Sequence, residues 1–279
     1  MAAITQPARP SVLPEPAGRA GLGGTLRSEW TKIRSVRSTY WTLFALLAVS
    51  VGIGAAISGG TAANWSHTTA ADRATFDATQ ASIAGLFYLG QLVIVVFGAM
   101  VFTAEYSTGM IRTSLTVMPR RVTMYAAKAA VFAVIALVVT LVAAFIAFFL
   151  GQALLASTHE SATLSQPNVL RAVIGSALYV TLCGLFAFAT GAILRHTAAT
   201  ITTIIGLLFV IPILVHLLPH SWYIDVERWL PDAAGRAISA TIPGQDPNLF
   251  SPWSQFAVFA VYTAVLLVIG AVLFRKRDA

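Results

Sequence analysis

The sequence predicts an all-α membrane protein of six transmembrane helices, preceded by an amphipathic helix lying in the headgroup plane. Three observations carry this. Of 279 residues, 57% are apolar or aromatic and only 10% are charged, against roughly 25% charged in a soluble globular protein. Eighteen basic and eleven acidic side chains cannot clothe a soluble body of this size. Six apolar runs contain no Asp, Glu, Lys or Arg: 41–60, 81–104, 129–155, 172–194, 198–218 and 254–274. Each meets the length of about 20 residues that matches a hydrocarbon core of roughly 30 Å. Finally, the basic residues segregate between alternate connecting segments.

Taken in order, residues 1–25 hold Pro7, Pro10, Pro14, Pro16 and four glycines. Such a tail buries too little apolar surface to offset its ordering entropy, so disorder is expected. No apolar stretch follows its first arginine for 20 residues or more, which excludes a cleavable signal peptide. In residues 26–38, Leu26, Trp30 and Ile33 recur at helical spacing, with Arg27, Lys32, Arg34 and Arg37 on the other face. That pattern fits a helix in the headgroup plane, with Trp30 as anchor and the basic side chains facing anionic lipid. The alternative is a plain basic flank of the first span. That span is the least apolar, and its Ser50, Gly52, Gly54, Ser58 and Gly59 let another helix approach closely. The third run exceeds the length of a crossing and implies tilt or projection beyond the headgroups.

Six spans place both termini on one side. That side carries Arg9, Arg19, Arg27, Lys32, Arg34, Arg37, Arg112, Arg120, Arg121, Lys128, Arg195, Arg275, Lys276 and Arg277, fourteen in all. The other side carries Arg73, Arg171, Arg228 and Arg236, together with seven of the eleven acids. Both termini are therefore expected in the cytoplasm. Topology accounts for the net charge of +7, so no nucleic-acid partner is expected.

Chemistry inside the chain is sparse. The lone Cys183 excludes an intrachain disulfide and any CxxC site. No GxxxxGK[ST] phosphate loop is present, and the glycines at 21, 23 and 24 read as linker. Charge-free spans do not fit a proton path through carboxylates, whereas sodium coordination by backbone carbonyls stays open. Gly175-Ser176 lacks a GxSxG setting. His216 and His220 have the i, i+4 spacing of metal ligands, but Pro219 separates them and no third ligand is spaced with them. Neither a catalytic nor a metal site is expected.

The segment Glu105-Tyr106-Ser107-Thr108-Gly109-Met110-Ile111-Arg112, followed by Pro119-Arg120-Arg121 and Lys128, reads as a short helix between spans two and three, stopped at Pro119. By itself it is equally an exposed knob or an ordinary basic loop. An acid closing span two, then Gly, a small apolar pair, a basic residue, Pro-Arg and a later Lys resembles the signature of type-2 ABC transporter permeases, the membrane subunits of bacterial exporters. The opening Ser28-Glu29-Trp30-Thr31-Lys32-Ile33-Arg34 resembles actinobacterial members. So does the closing Leu230-Pro231-Asp232-Ala233-Ala234-Gly235, with Ser251-Pro252-Trp253 and the basic end. The likeness covers residues 26–279.

The resemblance implies a single permease domain over 26–279 in the bacterial plasma membrane. Glu105, Gly109, Met110, Arg112 and Pro119 would form a cytoplasmic coupling helix docked on a partner ATPase. Trp30, Lys32, Ile33 and Arg34 would belong to an interfacial elbow helix. Phe87, Gln91 and Phe97 on span two, with Phe209, Pro212 and His216 on span five, are candidate pathway walls, plain helix packing being the alternative. Residues 219–252 would form an external cap whose Trp222, Tyr223 and Trp229 meet the outer interface, with Trp253 just beyond. The implied complex holds two ATPase subunits, which bind the ATP and Mg, and a second permease subunit, identical or paralogous. This chain itself binds no cofactor. The implied cargo is an amphipathic or hydrophobic, drug-like compound. The alternatives are an ion-gradient transporter or channel without an ATPase, and a non-transporting scaffold.

Overall fold

A computed structural model describes residues 21–111, 120–242 and 249–276. Helix α1 (Leu22–Ser35) precedes span one, α2 (Arg37–Asn64). A short helix α3 (Ala70–Ala74) leads to span two, built from α4 (Ala78–Gly85), a π-helical turn (Leu86–Gly90) and α5 (Gln91–Ser107). Spans three and four are α6 (Arg121–Leu155) and α7 (Val169–Leu194). Span five joins α8 (Thr197–Ile205), a second π turn (Gly206–Val210) and α9 (Ile211–Val215). The short helices α10 (His220–Glu227) and α11 (Pro231–Ser239) precede span six, α12 (Pro252–Lys276). Six of these assemblies are long and apolar enough to cross a membrane, in the order the sequence predicts. Expectations for residues 1–20 lie outside the described residues.

Span four is the pillar of the bundle: 78% of its central window is buried, against 17% for span six and 22% for spans one and five. Small residues make this possible, because without a hydrophobic drive between helices in lipid, packing depends on close backbone approach. A Cβ added at Gly98 of span two would lie 2.2 Å from the carbonyl oxygen of Gly184 on span four. The same closeness joins spans one and two, where a Cβ at Gly85 would meet the Ser50 carbonyl oxygen at 2.0 Å. Some polar side chains within the spans bond between helices: Gln152 Nε2 donates to Ala78 O and Ser82 Oγ, and Thr140 meets Thr181 at 3.0 Å.

Both interrupted spans have a local cause. Pro212 lacks an N–H and its ring would crowd the carbonyl of Leu208, so an α-helix cannot pass through it undisturbed. The preceding turn widens instead, with Ile211 N–H bonding back five residues to Gly206 O. In span two the widened turn runs between Gly85 and Gly90, both seated against Ser50. There Gln91 N–H donates to Leu86 O.

Two expectations change. The first helix begins at Leu22 and ends at Ser35, and the extended backbone of Val36 (φ −89°, ψ 116°) turns the chain into span one. Leu26 and Trp30 face outward as an interfacial anchor would, and Arg34 is exposed. Lys32, expected among the lipid-facing bases, turns inward instead, because its buried neighbour Glu29 offers a carboxylate. Second, residues 219–242 do more than present aromatics. Trp222, Trp229 and Trp253 are exposed, but α11 is inserted into the bundle. Its Ile238 packs on Gly175 and its Gly235 on the Tyr179 ring.

Candidate functional site

Two constellations stand at opposite ends of span two. At the end carrying α1, three helices bring four charges together. Glu29 and Lys32 come from α1, Glu105 from the last turn of α5, and Lys128 from two turns into α6. Lys128 Nζ lies 2.6 Å from Glu29 Oε2 and 2.6 Å from Glu105 Oε1. Lys32 Nζ lies 2.9 Å from Glu29 Oε1 and 3.2 Å from Glu105 Oε1. The side chains of Glu29 and Lys128 are only 2% and 4% exposed, so these are charges removed from solvent, and two acids balance two bases. Burial alone would depress the Lys32 ammonium. The hydrogen bond to Glu29 and the field of Glu105 outweigh it and hold Lys32 above the usual lysine value.

Just beyond Glu105 the span ends at Gly109, whose φ of 70° places it in the left-handed region that glycine adopts without a Cβ penalty. Its N–H donates to Tyr106 O. Met110 follows on the surface, while Ile111 is buried against Phe102, Met124, Tyr125, Phe188 and Phe274. Arg112 and Pro119 lie outside the described residues. A groove of about 300 Å³ beside the ion cluster is lined by Phe97, Met100, Glu105, Met110, Lys32 and Lys128, among others.

At the far end, a cavity of about 670 Å³ opens between spans one, two, four and five and helix α11. Both π turns face it: Phe87 and Tyr88 come from one, Leu208 and Phe209 from the other. Gln91, 3% exposed, and Tyr179 form its inner wall. Asp232 and Arg236 of α11 contribute the charged wall. Arg236 Nη1 donates to the buried Glu227 Oε1 at 2.7 Å, and its Nε lies 3.4 Å from Asp232 Oδ2. Asp232 Oδ1 is buried without a hydrogen-bond partner among the described residues. Burial lifts the Asp232 carboxyl above the ordinary carboxylate range, against the opposing pull of Arg236.

This wall is stapled in place. Asp77 caps α4 through Gln80 N–H and accepts Thr241 N–H at 2.7 Å, and Arg171 donates to Ala240 O at 2.6 Å at the end of α11. The Asp77 bonds satisfy a free N–H in the first turn of α4 and another just past α11, and the Arg171 bond satisfies a carbonyl at the end of α11.

The structure thus gathers Phe87, Gln91 and Phe209 at one cavity. It places Phe97 toward the opposite end of span two, its ring tilted against that of Phe132 with centroids 5.3 Å apart, and it buries Pro212 within span five. His216 is exposed, its ring 4.9 Å from that of Tyr223. Sequence reasoning overlooked Glu29, Asp232 and Arg236 as site residues. The available signals were a lone acid in a basic flank and an i, i+4 Asp–Arg pair opposite the small face Ala233, Ala234 and Ala237.

Six membrane-length helices, two of them broken beside a shared cavity, define a multi-pass membrane protein. The sequence model for the ABC-2 family transporter protein matches residues 25–214, and the chain belongs to that family. It is therefore an ABC-type permease, a membrane subunit without a nucleotide-binding site of its own, in a family that works with separate ATPase subunits. No curated protein matches the chain.

Proposed function

We propose that this chain is one of two permease subunits, identical or paralogous, of an ATP-driven exporter for amphipathic or hydrophobic compounds. Two ATPase subunits, holding the ATP and Mg, engage the loop after span two at the cytoplasmic face. The observation that carries this reading is the buried Glu29–Lys32–Glu105–Lys128 cluster beside that loop. A charge-balanced network of this kind, three of its four members sealed from solvent, locks α1 and the ends of spans two and three into one block, since separating a buried member strands a charge. A push on residues 105–128 then moves two spans together as a rigid body, which is the kind of displacement that exchanges inward for outward access. The fourteen-to-four division of basic residues supports a cytoplasmic location for that block. Trp30 and Leu26, exposed on α1, suit an elbow helix resting on lipid.

Spans two and five supply the pathway in this reading. Their π turns face one cavity, and such turns recur at functional sites because they aim side chains that a regular helix would not.

Co-expression with an ATPase encoded alongside should yield a stoichiometric complex whose ATP hydrolysis drives transport in liposomes. Arg112→Glu and Gly109→Pro should abolish transport while the protein still inserts, the latter because proline cannot take the positive φ of that turn. Transport by this chain alone, driven by an ion gradient, would overturn the proposal.

A further inference from the structure

We infer that the cavity beneath α11 binds an amphipathic monocation, an apolar body bearing a protonated amine, with Asp232 as its charge partner. This rests on the exporter reading and names its substrate class.

Size comes first. A volume of about 670 Å³ lies within the roughly 300–1,000 Å³ of pockets that hold drug-sized molecules. The walls divide into an aromatic side, Phe87, Tyr88 and Phe209, and a polar side, Asp232 and Arg236, with Gln91 at the base. A ligand filling such a space needs both an apolar body and a polar head.

The charge inventory decides the sign of that head. Arg236 is engaged by Glu227 and Asp232 together, so two carboxylates share one guanidinium and the group keeps one negative charge. An anion would meet that surplus and is repelled. Asp77 adds no vacancy, since both of its oxygens accept backbone N–H groups. Asp232, by contrast, is part-exposed at the cavity wall, and its closest partner, Arg236 Nε at 3.4 Å, is shared with Glu227 through the same guanidinium. A protonated amine in the cavity offsets the surplus negative charge beside it with a charge-assisted donor, which a neutral group cannot do as strongly. Among the described residues no group of three His, Cys, Asp or Glu side chains could hold a metal ion, so a coordinated divalent cation is the poorer occupant. The facing rings favour an organic cation further, because ring faces attract ammonium groups.

The test uses the full chain in nanodiscs and a matched probe pair, protonated 2-(1-naphthyl)ethylamine and neutral 2-(1-naphthyl)ethanol, with empty nanodiscs subtracted. The wild type should bind the amine about tenfold or more tightly than the alcohol, as expected for a hydrogen bond to a charged group. Asp232→Asn should collapse that preference to within about twofold, and Asp232→Glu should restore most of it. The thermal unfolding midpoint of each variant shows whether it is folded. If Asp232→Asn unfolds, Phe209→Ala in its place should weaken amine and alcohol together. Equal binding of both probes by the wild type, or an amine preference that survives Asp232→Asn, overturns the inference. Because no nucleotide or ATPase is present, the result is independent of the exporter reading. Amine preference with no ATPase recovered on co-expression keeps the site and removes the exporter, whereas an ATPase complex without amine preference does the reverse.

Discussion

The two ends of span two handle charge in opposite ways. Near α1, Glu29, Lys32, Glu105 and Lys128 match two negative groups with two positive ones, and the inner three are sealed from solvent. Under α11, Glu227 and Asp232 set two carboxylates against the single guanidinium of Arg236, beside an open cavity. A balanced buried network strongly resists separation of its members, so it suits a part that must move as one piece. An unbalanced, half-open one is stabilised by whatever completes it, so it suits a part that must receive and release. The same residue chemistry therefore yields rigidity at one end and receptivity at the other, decided by stoichiometry and access to water.

That contrast can be broken most forcefully at Lys128. Replacing it with Met leaves two buried carboxylates facing only Lys32, and a cost of about 3–5 kcal/mol is expected, read as a large drop in the thermal unfolding midpoint. The double variant Glu29→Gln, Lys128→Met should recover part of the loss, because neighbours in one network are non-additive. Additive losses would show that the cluster is not a unit. Next in size is Gly98→Ala, where the new methyl would meet the Gly184 carbonyl and overpacking should cost about 1–3 kcal/mol. A stability unchanged by it would mean that spans two and four are not in backbone contact.

Gly109→Ala should cost about 1–2 kcal/mol from the positive φ, since no atom of the described residues would lie within 4 Å of the added methyl. Its signature is a loss of coupling between hydrolysis and transport that exceeds the loss of stability. Smallest is Trp30→Ala. The ring is 47% exposed, so the stability change should stay within about 0.5 kcal/mol while affinity for anionic lipid falls. A destabilisation as large as that of Lys128→Met would place Trp30 in the protein core instead.

Much of this molecule was legible in its sequence. The six spans, their order and the break at Pro219 follow from run length and from proline chemistry, both local properties. Glu105 and Lys128 stood out beside the loop. Glu29 did not, because its partner Lys128 lies 99 residues away and nothing within a helical turn distinguishes a buried acid from a solvated one. Helix α11 was anticipated as part of an external cap. Its small face Ala233, Ala234 and Ala237 became informative only once span four offered Gly175 and Tyr179 to receive the helix. The six candidate wall residues were chosen by span. Only helix rotation and the two π turns could sort Phe87, Gln91 and Phe209 from Phe97, Pro212 and His216.

By itself, then, the sequence determined how many times the chain is suited to cross a bilayer and how its basic residues divide between the two ends. Those depend on hydrophobicity summed along a contiguous stretch. Tertiary structure alone decided which charges neutralise one another and which carboxylate is left unmatched beside a cavity. Pairing across a bundle depends on the rotation and depth of helices set by packing far away in the chain, and no local window of residues encodes that.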